Sequence, residues 1–199
     1  MPPNGLPKPL LTEGAFAASG TNIATFGKTH AWIGTGGADR ARVLRTVDAG
    51  RTWSVTDAPL AAAASAGIFS IAFRDALHGV VVGGDYRREN VAINNVAVTE
   101  DGGITWKLMK GLTGYRSVVA YVPRTELAVS VGPSGADYSN NSGRSWKPLQ
   151  KSPGFNTLSF AGEVGFTQHK KLNAGKTVAE QVVGWAAGAE GRIGKLTIR

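Results

Sequence analysis

Thr46-Val-Asp48-Ala-Gly50-Arg-Thr52-Trp53, Thr99-Glu-Asp101-Gly-Gly103-Ile-Thr105-Trp106 and Ser139-Asn-Asn141-Ser-Gly143-Arg-Ser145-Trp146 are three copies of one box, Ser/Thr-x-Asp/Asn-x-Gly-x-Ser/Thr-Trp. Each copy closes a strand-like apolar run, so the chain is a repeat. The chemistry of the box is that of a tight hairpin turn. An Asp or Asn oxygen accepts bonds from backbone N–H groups just ahead of it, and the amide of Asn141 serves as well as a carboxylate. Gly supplies a positive φ where the chain reverses. The flanking hydroxyls add local bonds, and the Trp buries a large ring where the next strand begins. One carboxylate per turn, without clustered ligands, predicts a structural staple (Asp48, Gly50, Trp53; Asp101, Gly103, Trp106; Asn141, Gly143, Trp146) rather than a metal site.

The repeat extends outward from the boxes. Each unit opens on an apolar run: Thr21–Phe26, Ile68–Phe73, Ser117–Val122 and Asn156–Phe160. A second run ends at glycine: Ala31–Gly36, Gly79–Gly83, Ala128–Gly132 and Gly184–Gly188. A third leads into the box, and a short fourth follows each Trp. This predicts an all-β chain of four blade-like units near 13–60, 61–112, 113–152 and 153–199, each a four-stranded antiparallel sheet. Unit lengths of about 40–50 residues suit propeller blades. Unit four lacks a box and an outer strand, and Leu6–Leu11 offers a short edge strand to complete it. Residues 1–12 are Pro-rich and read as a linker, while 162–180 form a long polar, basic insertion between strands.

Composition excludes some chemistry. There is no cysteine, so no disulfide and no thiol catalysis. No apolar stretch is long enough to span a bilayer. The first residues lack the apolar core of a signal peptide. An export signal further upstream would place this protein in the bacterial periplasm or outside the cell, and without one it would be cytoplasmic. The net charge of +8 favours an acidic partner. The basic residues are scattered, and no RNA- or DNA-binding motif accompanies them, so nucleic acid is not the expected partner.

Catalytic motifs are missing. Gly27-Lys28-Thr29 and Gly175-Lys176-Thr177 lack the first glycine of a phosphate loop. Gly34-Thr-Gly36-Gly37 lacks the rest of a dinucleotide fingerprint. His30, His78 and His169 have no metal-ligand spacing, and His30 and His78 sit at corresponding turns. No catalytic residue, metal ligand or cofactor is assigned.

The boxes, together with Gly184-Trp-Ala-Ala-Gly-Ala-Glu-Gly-Arg-Ile193, resemble the Asp-box (BNR) propellers of the sialidase type. Within these, the chain is most similar to the photosystem II stability/assembly factor-like proteins and their bacterial relatives, over roughly residues 13–199. Members of that group usually carry six or seven blades and this chain resembles their C-terminal portion, so the expectation is either a fragment of a longer propeller or a natural half-propeller. The resemblance also implies a binding or assembly scaffold, since in that group a basic propeller face binds a photosystem protein. As a partial propeller, the chain is expected to cover its open faces by self-association, for instance as a two-fold dimer. The candidate partner-binding residues lie on loops leading into the innermost strands and beside them: Asn22, Tyr86, Arg87, Arg88, Tyr115, Arg116 and Asn156. Aromatic rings there would anchor a protein or peptide, and arginines would pair with its carboxylates. The rival expectation is a sialidase-like glycoside hydrolase, or a truncated fragment of one; hydrolysis needs paired carboxylates on the same face.

Overall fold

The computed structural model describes residues 5–17, 20–149, 152–161 and 182–198. The insertion expected at 162–180 lies outside the described residues. Among the described residues, fifteen strands form four separate antiparallel sheets. Unit one is β1 (Ile23–Phe26), β2 (His30–Gly34), β3 (Ala41–Thr46) and β4 (Ser54–Ala58). Unit two is β5 (Ala66–Phe73), β6 (Gly79–Asp85), β7 (Val96–Thr99) and β8 (Lys107–Leu108). Unit three is β9 (Val118–Tyr121), β10 (Ala128–Gly132), β11 (Gly135–Ser139) and β12 (Lys147–Pro148). Unit four has β13 (Thr157–Phe160), β14 (Val182–Ala187) and β15 (Ile193–Ile198). Strand order within every sheet follows chain order. The architecture is a partial β-propeller. No helix among the described residues is long and apolar enough to cross a membrane.

The boxes fold as the local chemistry dictates. Thr46 Oγ1 donates to Asp48 Oδ1 (2.8 Å) and accepts from Gly50 N (3.0 Å). Asp48 then takes the N–H and the hydroxyl of Thr52 at 2.9 and 2.6 Å. The second box repeats these bonds with Thr99, Asp101, Gly103 and Thr105. In the third, Asn141 Nδ2 donates to Ser145 Oγ instead (2.9 Å), and the other bonds persist. The turn needs two successive left-handed residues: Ala49 (φ 59°) and Gly50 (φ 82°), Gly102 and Gly103, Ser142 and Gly143.

The core lies between the sheets. Trp32 and Val43 of unit one pack on Ile68, Ile71, Val81 and Ala97 of unit two. Val80, Val82, Val96 and Val98 on the other face of unit two pack on Val119 and Trp146 of unit three. Val118, Val129 and Val131 then pack on Phe155 and Leu158. Unit two therefore buries both faces, which is why β6 and β7 read as continuous apolar runs without alternation. One backbone bond recurs at each junction: Ile68 N to Thr35 O, Arg116 N to Gly83 O and Phe155 N to Gly132 O. The innermost strands are also tied by hydroxyls. Thr21 Oγ1 donates to Ser70 Oγ, which accepts from Val119 N, and Ser117 Oγ donates to Asn156 O.

The N-terminal segment takes a different place from the edge strand expected of Leu6–Leu11. It lies on unit one, where Gly14 and Gly36 exchange backbone bonds. Gly36 in turn bridges Gly67 of unit two, so close that a Cβ at Gly36 would stand 2.7 Å from the Gly67 Cα. Glu13 anchors the segment. Its carboxylate is buried against the Arg42 guanidinium and accepts from Thr35 Oγ1 (2.7 Å) and Leu10 N (2.9 Å). Burial pushes the Glu13 pKa up, but the bonds from Arg42, Thr35 and Leu10, with the charge of Arg42, outweigh it and bring it from 4.5 down to about 2. A carboxyl depressed on folding contributes stability above its unfolded pKa and loses it as pH falls through the folded one. The wild-type protein should thus exceed Glu13→Gln in stability by about 2–3 kcal/mol at neutral pH. Urea denaturation at a series of pH values should show that gap closing between pH 4.5 and about 2. A gap that does not change over this window would remove the ion pair as the anchor.

Candidate functional site

The loops at one end of the innermost strands surround a groove of about 450 Å3. Its walls include Phe16, Phe69, Tyr86, Glu89, Tyr115 and Asn156, drawn from the N-terminal segment and from units two to four. A β-bulge delivers Phe69: the register of β5 on β6 shifts between Ile68 and Ser70, and the extra residue turns its ring out of the ladder. The ring of Phe16 lies flat on Phe69, with centroids 4.0 Å apart and planes 6° apart. Tyr115 meets Phe69 edge-on at 4.8 Å, and Tyr86 meets it at 6.0 Å. Four rings thus share one apolar wall, with geometry that suits their quadrupoles.

The loop carrying Tyr86 is held at both ends. Asp85 accepts from Ser65 Oγ (2.8 Å), Arg87 N (3.0 Å) and Arg88 Nε (2.7 Å). The Arg88 bond leads the forces that hold the Asp85 carboxyl below its ordinary pKa, against its burial. Glu89 O accepts from Tyr115 N (2.8 Å) and Ser134 Oγ (3.1 Å), which ties the loop to unit three. Burial, reinforced by the charge of Glu89, raises the Tyr115 pKa, so its hydroxyl stays a neutral donor.

The structure brings together four of the residues proposed from sequence: Tyr86, Tyr115 and Asn156 in the wall, and Arg87 beside it. The Arg87 guanidinium lies 5.8 Å from the Tyr86 ring centroid. Arg88 is exposed but engaged by Asp85. Asn22 is buried and lines no part of the groove. Arg116, expected to meet a partner's carboxylate, is instead fully buried and paired with Asp137 at 2.6 Å. Its guanidinium also donates to Tyr115 O (2.8 Å) and Ser134 Oγ (3.1 Å), so it supports the groove from beneath. Phe16 is a wall residue not proposed from sequence. Phe16 is the one aromatic residue in an otherwise small, Gly-bounded stretch, Gly14-Ala-Phe-Ala-Ala-Ser-Gly20, and that isolation was its signal. Among the described residues no cluster of three or more His, Cys, Asp or Glu could hold a metal ion. Outside the groove, His78 Nδ1 lies 2.9 Å from the Asp75 carboxylate in a turn.

No protein-family profile matches this chain, and no curated protein matches it. Solved structures do. YCF48 bound to D1 peptide superposes with a TM-score of 0.55 at 17% identity, over 96% of this chain and 56% of that one. The GH74 enzyme of Niastella koreensis gives 0.55 at 12% identity, over 93% and 28%. The chain spans about half the length of the first and little more than a quarter of the second. At these identities the likeness shows the propeller fold and nothing finer.

Proposed function

We propose that this protein is a non-catalytic binding scaffold that takes a protein or peptide segment in the aromatic groove. The observation that carries this is the convergence of Phe16, Phe69, Tyr86 and Tyr115 on one cavity of peptide side-chain dimensions. A large apolar or aromatic side chain of the partner fills the space against Phe69 and Tyr115. Asn156, exposed at the groove edge, bonds the partner's backbone. Arg87 pairs with an acidic residue of the partner, in keeping with the +8 charge of the chain. The peptide held by the structurally similar YCF48 supports a propeller used in this way.

Selection from a displayed random-peptide library on the immobilised protein tests the proposal. Enriched peptides should share an aromatic or large aliphatic anchor and a nearby acidic residue. Tyr86→Ala should weaken them about tenfold or more, and Arg87→Ala less, with a reduced salt dependence. No enrichment, or binding untouched by Tyr86→Ala, would overturn it. Glycoside hydrolysis remains the rival. It requires two carboxylates, and among the described residues lining the groove Glu89 is the one present. Release of sugar from a sialoside or another glycoside, abolished by Glu89→Gln, would establish the rival instead.

A further inference from the structure

We propose that the two open ends of the unit row are complementary halves of one junction, and that unit four of one copy seats on unit one of a second copy of this chain. The internal repeat supplies the register. The first residue of the box, Thr46 in unit one and Thr99 in unit two, pairs with Ala31 and Gly79. Counting from there, the cross-strand row Ile23–Ile33–Leu44–Val55 corresponds to Ile71–Val81–Ala97–Leu108. In unit two, Ile71, Val81 and Ala97 are buried against Trp32 and Val43 of the unit before. In unit one, the ends of the matching row are exposed, Ile23 at 54% and Val55 at 37%, and Ile33 and Leu44 between them are half-buried. It is a seating face with nothing seated on it among the described residues.

The opposite end carries the other half. In β14, Ala186 pairs with Leu158 and faces unit three, so Trp185 faces the other way. Its row, Ser159–Trp185–Lys195, matches Ala24–Trp32–Arg45 in unit one. Trp32 shows what a tryptophan does at that register. It is fully buried, stacks on Phe73 of the next unit at 3.6 Å, and donates Nε1 to Gly102 O in the next unit's box at 2.7 Å. Arg45 lies alongside, close enough that a Cβ on Gly102 would stand 3.7 Å from its Nη2. Trp185, at the same register, is 53% exposed, with the Lys195 ammonium 5.7 Å from its ring. Both members of the Trp-plus-cation pair are therefore present at this end, and among the described residues no unit meets them.

Unit one of a second copy offers the matching positions. Thr25 stands where Phe73 does, with the exposed Phe26 beside it, and the carbonyl of Ala49 in the first box stands where Gly102 does. A second copy is the fitting occupant because it continues a junction the chain already makes three times, with the same faces in the same order. Two copies present two of each face, so two head-to-tail contacts close the body and leave no apolar end uncovered.

Light scattering on a size-exclusion column tests this with the 199-residue chain. The expected mass is that of two 20.7 kDa chains. Trp185→Asp and Ile23→Asp change exposed side chains, so each variant should keep the wild-type circular dichroism. Each should weaken association about 100-fold, since both junctions of a homodimer are hit. An equimolar mixture of the two variants should recover dimer, because the mixed pair retains one junction with neither substitution. A monomeric wild-type chain would overturn the proposal, as would a dimer indifferent to both substitutions. A concentration-dependent ladder of higher oligomers would overturn closure by two. Failure of the mixed variants to associate would overturn the head-to-tail arrangement.

Discussion

Replacing Asp137 by alanine is expected to lower folding stability by about 3–5 kcal/mol. The side chains of Asp137 and Arg116 are both fully excluded from solvent. Asp137 accepts from Arg116 Nε (2.6 Å), Thr113 Oγ1 (3.1 Å) and Thr113 N (3.3 Å). Removing it leaves a guanidinium charge between units two and three with no counter-charge at hand. Paired replacement, Arg116→Met with Asp137→Leu, should cost much less than the single change, because it removes the stranded charge with its partner. Urea denaturation of both variants checks this. A single variant within about 1 kcal/mol of wild type would mean that water reaches the guanidinium and that the pair is not a dry one. The pair also fixes the groove, since Arg116 holds Tyr115 O and Ser134 Oγ, and Ser134 Oγ holds Glu89 O.

Trp32→Ala should cost about 3–5 kcal/mol as well, by a different route. The indole fills the junction between units one and two, and deletion leaves a cavity walled by Phe73 and the second box. Such a cavity cannot collapse without moving Gly103, whose missing Cβ would stand 3.1 Å from Trp32 Nε1. Trp32→Phe should recover most of the packing and lose the bond to Gly102 O, at a cost of about 1–2 kcal/mol. Thermal unfolding followed by circular dichroism reads the series. A drop on the order of 10 °C for alanine is expected, and a shift within a degree or two would place the main stability elsewhere. Trp185→Ala, at the same register of the open end, creates no such cavity within one chain.

The boxes, the strand runs and the division into units were legible in the sequence because they rest on local chemistry. Each box closes its polar bonds within a few residues, so its turn follows from its own residue types. Arg116 was misplaced on the open face because its neighbours Tyr115 and Ser117 suggested a loop. The recurring junction bond puts it at the position of Ile68 and Phe155, both core residues. A charge at a core position betrays a buried partner, and Asp137 lies 21 residues away on a strand that otherwise reads as ordinary. The seat of the N-terminal segment was equally hidden, because the Glu13–Arg42 contact joins residues 29 apart. Tyr86, Tyr115 and Asn156, which line the groove, were singled out in the sequence because aromatic and amide side chains on loops need a reason to be there. Phe16 escaped because it stands outside the repeat.

Because apolar cores lie between sheets and not within them, no single body sets the size of this fold. Among the described residues the main packing joins each unit to its neighbours, so the energetics resemble those of a row of coupled beads. Removing an end unit breaks one coupling, while removing unit two or three breaks two. Whole units can therefore be gained or lost at the ends of such a row without redesign of the remainder. The solved propellers, of which this chain spans about half and little more than a quarter, carry the same fold at greater length.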